Sequence, residues 1–171
     1  MKKIVCVLLI LVGLSAAVFA QDGNSWYKDH LRIEADVGFG LITTSFEVRS
    51  AYRAPINENL RWDAGVDLSF KMPSLVAAIG GAGDVKTTNI EAFGSFWFYA
   101  FYVQYGLGIG ISDAGVGFMP YDIRFGFQPG INDNNGGHWN FKMELGFAAI
   151  PVRGYENNLD FSITLGTTYR F

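Results

Sequence analysis

The placement of charge along this chain restricts its fold more than any other feature. From Leu31 onward, apolar and polar residues alternate with period two, and the ionisable residues of each stretch keep to one parity. Arg32, Glu34 and Asp36 oppose Leu31, Ile33, Val37 and Phe39. Glu47, Arg49 and Arg53 oppose Phe46, Val48 and Tyr52. Arg61, Asp63, Asp67 and Lys71 oppose Leu60, Trp62, Val66, Leu68 and Phe70. Asp122 and Arg124 oppose Tyr121, Ile123, Phe125 and Phe127. Lys142 and Glu144 oppose Trp139, Phe141, Met143, Leu145 and Phe147, and Asp160 and Arg170 oppose Phe161, Ile163, Leu165, Tyr169 and Phe171. Period two marks β-strands, whose successive side chains point to opposite faces. With Glu91 on the polar face, no strand carries Asp, Glu, Lys or Arg on its apolar face. A charge facing lipid at mid-bilayer costs about 2–4 kcal/mol, so a hydrocarbon surrounding would enforce this absence.

Eight such segments are predicted, at about 31–41, 45–54, 59–71, 88–98, 101–112, 120–129, 138–148 and 159–171. Most are longer than the roughly 5–6 residues of a soluble strand and match the roughly 9–11 that a tilted strand needs to cross a bilayer. A soluble barrel also has one apolar face, turned inward; residue size distinguishes the two. The polar face carries Gly38, Gly65, Gly106, Gly108, Gly110, Gly126, Gly146 and Gly166, as a narrow lumen crossed by long charged side chains requires. The apolar face is large and aromatic. Tyr52, Trp62, Phe98, Phe101, Phe127, Trp139 and Tyr169 lie near one strand end, and Phe39, Phe46, Phe70, Tyr121, Phe147 and Phe161 near the other. Two such girdles fit a lipid-facing surface. Beyond the leader no apolar run could span a bilayer as a helix, so a membrane form must be a closed barrel. Residues 31–171 are therefore predicted to form an all-β, closed, antiparallel, up-and-down transmembrane barrel of eight strands.

The start of the chain reads as an export signal. Lys2 and Lys3 precede an apolar run from Ile4 to Val18, and Val18-Phe19-Ala20 places small residues at the cleavage positions. Residues 1–20 are predicted to be removed, and 21–30 to form a short periplasmic lead-in. The one cysteine, Cys6, falls in the leader, which excludes disulfides from the mature chain. Without Lys2 and Lys3, 11 of the 13 basic residues remain against 16 acidic ones, a net charge of −5. With no basic patch, nucleic acid is not an expected partner.

An even strand count puts both termini on one side, here the periplasm. The periplasmic connections are expected at 55–58, at a tight Tyr99-Ala100 turn and at 129–137. The extracellular ones are expected near 42–45, 72–87, 112–119 and 149–158. Segment 88–98 leaves two readings open. Glu91 inward sends Phe93, Ser95 and Trp97 inward as well, with Phe93 across from Gly106; alternatively, a β-bulge near Gly94 changes parity.

The last eight residues carry the most specific motif. Thr164-Leu165-Gly166-Thr167-Thr168-Tyr169-Arg170-Phe171 runs polar, any, Gly, two of any kind, aromatic, any, terminal aromatic. This is the pattern of an outer-membrane assembly signal, with Thr164, Gly166, Tyr169 and Phe171 at its marked positions. Over residues 31–171 the chain resembles the small outer-membrane barrels of the OmpX/OmpW and OmpA-barrel type. The resemblance implies a bacterial outer-membrane location, recognition by the barrel-assembly machinery, and outer-membrane lipids as surroundings. A monomer is expected. No family function carries over residue by residue, because the resemblance does not extend to the loops.

Chemistry is not expected. His30 and His138 are the only histidines, both at the periplasmic end, and neither stands in a nucleophile–base pairing. Asp63 and Asp67 alternate with Arg61 and Lys71, a pattern of ion pairing. No metal cluster, phosphate loop or cofactor motif is present in the sequence. The basic lumen residues are Arg32, Arg49, Arg53, Arg61, Lys71, Arg124, Lys142 and Arg170. The acidic ones are Glu34, Asp36, Glu47, Asp63, Asp67, Glu91, Asp122, Glu144 and Asp160. A near-balanced set confined in a narrow lumen should pair. This predicts a scaffold that presents extracellular loops for surface interaction or adhesion, with a host or surface ligand as partner. The alternative is a narrow OmpW-like channel for small solutes, hydrophobic ones included, lined by Phe93, Trp97 and Tyr102. Leu75, Val76 and Ile79 are the candidate contact residues of the longest loop.

Changing both Tyr169 and Phe171 to polar residues should impair membrane assembly while leaving export across the inner membrane intact. Cell fractionation checks this; normal outer-membrane levels of the double variant would contradict the assembly-signal reading.

Overall fold

The computed structural model describes residues 30–57, 59–79, 86–129, 139–150 and 159–170, without the side chains of Trp139 and Arg170. The leader, most of the lead-in, His138 and Phe171 lie outside the described residues. Eight strands follow one another as β1 (Leu31–Gly40), β2 (Thr43–Pro55), β3 (Leu60–Pro73), β4 (Thr87–Phe98), β5 (Phe101–Ser112), β6 (Gly115–Phe127), β7 (Trp139–Ala149) and β8 (Leu159–Arg170), with one short helix, α1 (Leu75–Ile79), after β3. Each strand pairs antiparallel with the next, and β8 pairs with β1, so the sheet closes into an up-and-down barrel. Closure gives every strand a ladder on both sides, so no strand stands at a sheet edge, as a bilayer demands. No described helix is long and apolar enough to cross a membrane.

Period two becomes inside and outside. Every Asp and Glu on the described strands is buried in the lumen, as are Arg32, Arg49, Arg53, Lys71, Arg124 and Lys142. The outer wall carries Phe39, Phe46, Val66, Phe70, Phe96, Phe101, Phe125, Phe141, Leu145 and Leu165, all exposed. Around the end that carries the termini, Tyr52 and Trp62 meet edge to face at 6.3 Å, Phe98 pairs with Phe101, and Phe101 lies 5.0 Å from Phe127. Near the opposite rim Phe46 pairs with Phe70, and Phe147 lies 5.2 Å from Phe161. These members of the two predicted girdles thus meet across neighbouring strands, whereas Tyr121, predicted for the second, packs against Met119, Ala148 and Ala149.

The two readings of β4 resolve. Its register to β3 and β5 runs without a shift through Gly94, and Phe93 stands across from Gly106. Phe93 and Trp97 point into the lumen. The Tyr99-Ala100 turn is as short as predicted, with Tyr99 at φ 54°.

The bulge lies in β6 instead. Gly106 pairs with Asp122 and Gly108 with Met119, so three residues of β6 span two of β5. Pro120 falls inside this step and has no N–H for the ladder. The extra residue reverses parity: Val116 and Phe118 face outward, and Met119 inward. This corrects the expected loop at 112–119, which is mostly strand. The turn there is only Asp113-Ala114, followed by Gly115 at φ 114°, a backbone suited to glycine. Alternation reverses across Pro120, which hides the strand from period counting. Likewise the first expected loop, 42–45, shrinks to Leu41-Ile42 because Thr43–Ser45 already pair with β3.

Two lumen glycines show why small residues line the charged face. A Cβ on Gly106 would lie 1.6 Å from Glu91 Oε1, and one on Gly126 would lie 2.0 Å from Tyr102 Cζ. The inward side chain of one strand thus lies flat on the bare backbone of the next. A Cβ on outward-facing Gly94 would meet nothing closer than 3.8 Å. Gly126→Ala should therefore lower stability by about 1–3 kcal/mol, the usual cost of overpacking, and Gly94→Ala should leave it nearly unchanged. Urea unfolding from lipid vesicles measures both.

Candidate functional site

The lumen is the candidate site, and register alone begins to assemble it. Arg49 on β2 stands directly between Glu34 on β1 and Asp67 on β3, and Arg53 stands opposite Asp63. Because a barrel this narrow brings facing walls within side-chain reach, contacts across the lumen complete the cluster. The Arg49 guanidinium, fully buried, has Glu144 at 2.5 Å, Glu47 at 2.7 Å, Asp67 at 3.1 Å, Glu34 at 3.6 Å and Asp36 at 3.7 Å. Arg124 bridges Glu47 at 2.5 Å, Asp122 at 2.6 Å, Glu144 at 3.3 Å and Asp67 at 3.6 Å. Lys142 pairs with Asp36 at 2.7 Å, with Glu144 at 3.1 Å and with Glu34. Three cations thus neutralise carboxylates that would otherwise repel, such as Asp36 and Glu47, which face each other in the ladder.

Towards the termini the cluster continues as an aromatic clamp. Arg32 reaches Glu34 at 2.7 Å and Asp63 at 2.8 Å, and Arg53 binds Asp63 through two nitrogens at 2.9 and 3.1 Å. Both guanidinium groups lie over the Trp97 ring, Arg53 at 4.6 Å and Arg32 at 4.9 Å. Trp97 stacks on Tyr102 at 4.0 Å, donates from Nε1 to Ser95 Oγ at 3.1 Å, and leaves Tyr102 to donate its hydroxyl to Glu144. Cation–π contacts strengthen when desolvated, so the stack and the ion pairs stabilise one another. In the sequence, inward Trp97 and Tyr102 support the alternative of a narrow channel rather than the closed lumen. Their locking partners are strands away, and nothing in local pattern signals them.

Other charged residues stay apart from this cluster. Asp160 accepts from the backbone N–H groups of Ile42 and Thr43 at 3.0 and 3.2 Å, and from the Thr43 hydroxyl, which ties the β1–β2 turn to β8. Lys71 makes no ion pair among the described residues; the charges acting on it are Asp122, Glu47, Asp160 and Glu91. Glu91 stands opposite Asp67, and its Oε1 has no hydrogen-bond partner. Half-buried Arg61 donates to the Tyr99 carbonyl at 3.3 Å. Of the assembly-signal positions, Thr164 and Gly166 face the lumen and Tyr169 pairs with Ile33 on β1. His30 donates from Nδ1 to the Arg53 carbonyl at 2.7 Å and stacks on Tyr52. Among the described residues no group of His, Cys, Asp and Glu could hold a metal ion.

These differences separate the charges by sign of effect. Arg49→Ala strands carboxylates in a buried site and should cost roughly 3–5 kcal/mol, the usual penalty for breaking a buried pair. Glu91→Gln removes a carboxylate facing another carboxylate and should leave stability equal or raised. Unfolding midpoints of the two variants in vesicles check the contrast; equal losses would contradict it.

No protein family and no curated protein matches the chain. Among solved structures it is similar to the outer membrane protein Ail of Yersinia pestis in a phospholipid nanodisc, at 12% identity and a TM-score of 0.42, covering 83% of this chain and 99% of that one. It is also similar to the KdgM porin, alone and in complex with disordered oligogalacturonate, at 9% identity and a TM-score of 0.32, covering 82% and 99%. Likeness at this level is likeness of fold alone. By its own ladders and its own surface, the chain is a closed eight-stranded antiparallel barrel with the architecture of the small outer-membrane barrels.

Proposed function

We propose that the protein is an integral, monomeric outer-membrane barrel with periplasmic termini, closed to solutes by its ion-paired lumen, that presents its opposite-end loops for surface interaction or adhesion. The observation that carries this reading is the convergence of five carboxylates on buried Arg49 midway along the lumen. Opening a path there would separate buried ions from their partners, at several kcal/mol each. Trp97 and Tyr102 support the same reading. They are not a free apolar lining, because Arg32, Arg53 and Glu144 hold them across the bore. That weighs against the narrow-channel reading for small hydrophobic solutes. A rigid frame with function in its loops is the usual division of labour. The residues placed for contact are Leu75, Val76 and Ile79 on α1, all exposed at the end away from the termini.

Planar-bilayer recordings of the purified barrel test this directly. The expected result is no steady conductance above the bare bilayer. A stable open level in the unmodified protein would favour the channel instead.

A further inference from the structure

Two outward features of the β1–β3 wall are not explained by the lumen. The first is an apolar groove of about 450 Å³, lined on its outer side by Ala35, Val37, Phe46, Val48, Leu68 and Phe70. These residues are ladder neighbours: Ala35 pairs with Val48, Val48 with Leu68, Val37 with Phe46, and Phe46 with Phe70. The small Ala35 side chain leaves the hollow, and the two phenylalanines stand at the end nearer the loop rim.

The second is α1, just above that end. Ser74 fixes it to the rim. Its N–H donates to the Ile42 carbonyl at 2.8 Å, its hydroxyl donates to the Leu41 carbonyl at 2.6 Å and accepts from Ala77 N–H at 3.0 Å, and its carbonyl accepts from Ala78 N–H at 2.9 Å. Thus anchored, Leu75, Val76 and Ile79 are 76%, 65% and 80% exposed. Met72 to Ile79 contains no charge. An apolar patch held this firmly in the open marks a contact surface.

We propose that groove and helix form one lipid-binding site, with an acyl chain lying between Phe46 and Phe70 and α1 immersed at the headgroup boundary above it. This rests on the membrane reading and names the partner of the contact residues proposed above. Continuity selects lipid over a protein partner. Phe39, Leu41, Phe46 and Phe70 carry the exposed apolar wall towards α1, broken only by the uncharged Thr44 and Thr88, and the charged residues of the groove's lining, Asp36 and Glu47, point into the lumen and not toward a ligand on the outer face. Short segments with an apolar face settle at this depth of a bilayer. A hollow that follows a chain also offers it more dispersion contacts than a flat wall does.

Nitroxide labels test the helix. Val76→Cys and Ile79→Cys are made in a Cys6→Ala background, with Val66→Cys as a mid-wall reference and Asp113→Cys as a turn reference at the same end. In phospholipid vesicles, the oxygen-to-nickel-chelate accessibility ratio at 76 and 79 should approach that at 66 and exceed that at 113 several-fold. Ratios at 76 and 79 equal to that at 113 would overturn the proposal while the membrane reading stands. A ratio at 66 as low as at 113 would overturn both. The groove is tested with chain-labelled phospholipid. Ala35→Phe, which fills it, should reduce the motionally restricted lipid fraction, whereas Ala92→Phe, outward but off the groove, should not. A restricted fraction unchanged by Ala35→Phe would overturn the site. Both variants are first shown to fold by the heat-dependent gel mobility of an intact barrel.

Discussion

The Arg49 guanidinium is the point on which the barrel's interior turns. A planar cation with five donors can satisfy several carboxylates at once, and here Glu34, Asp36, Glu47, Asp67 and Glu144 gather around it from four different strands. Lys142 and Arg124 extend the same carboxylates outward into a continuous network. An apolar filling would be as stable in isolation, or more so. It would also erase the difference between the two faces of every strand, which in a bilayer is what fixes register. A slip of one residue would turn Arg49, Asp63 or Glu144 toward lipid, so the charged lumen enforces the ladder as much as the ladder positions the charges.

Room for this network comes from the backbone. Glu91 lies over Gly106 and Tyr102 over Gly126, each occupying the space a neighbouring side chain would fill. Those clearances let Tyr102 reach Glu144 from β5 to β7 and lie flat against Trp97. Packing, hydrogen bonding and ion pairing are therefore one arrangement: a methyl group on Gly126 would displace the ring that holds a carboxylate of the Arg49 cluster.

Much of this was legible in the sequence, and the limits are physical. Strand number and facing followed from parity, because lipid forbids exceptions; for β4 parity left an inward run and a bulge near Gly94 both open, and only its register to β3 and β5 decides between them. Pairs such as Arg53 with Asp63 follow once the hairpin register is known, since they are direct neighbours. Arg49 with Glu144, or Lys142 with Glu34, join residues far apart in sequence across the bore, and no local pattern encodes them. Asp160 shares the lumen parity of the paired charges yet caps a turn, because parity reports only the face and not the height along the bore. The β6 bulge escaped because Pro120 reverses the alternation from which the strand would be read. The α1 helix escaped because one short turn in a loop has no period to show.

Ion pairs are not spread evenly along the bore. Arg32, Arg53, Trp97, Tyr102 and Lys142 lie toward the end that carries the termini, whereas the opposite half is filled differently. There Met119, Ala148 and Ala149 form a small apolar cluster against Tyr121, and Thr87 and Asn89 are buried without side-chain partners. Among the described residues β6 and β7 pair from Asp122 to Phe127, starting at Ala148 of that cluster, which stands opposite Asp122. The terminal half is thus cross-braced by contacts between strands, and the loop half is held mainly by its ladders and by Asp160 and Ser74 at the rim. The ion pairs that brace the bore therefore lie away from the loop end. A frame divided in this way keeps its fold while its exposed end remains free to differ.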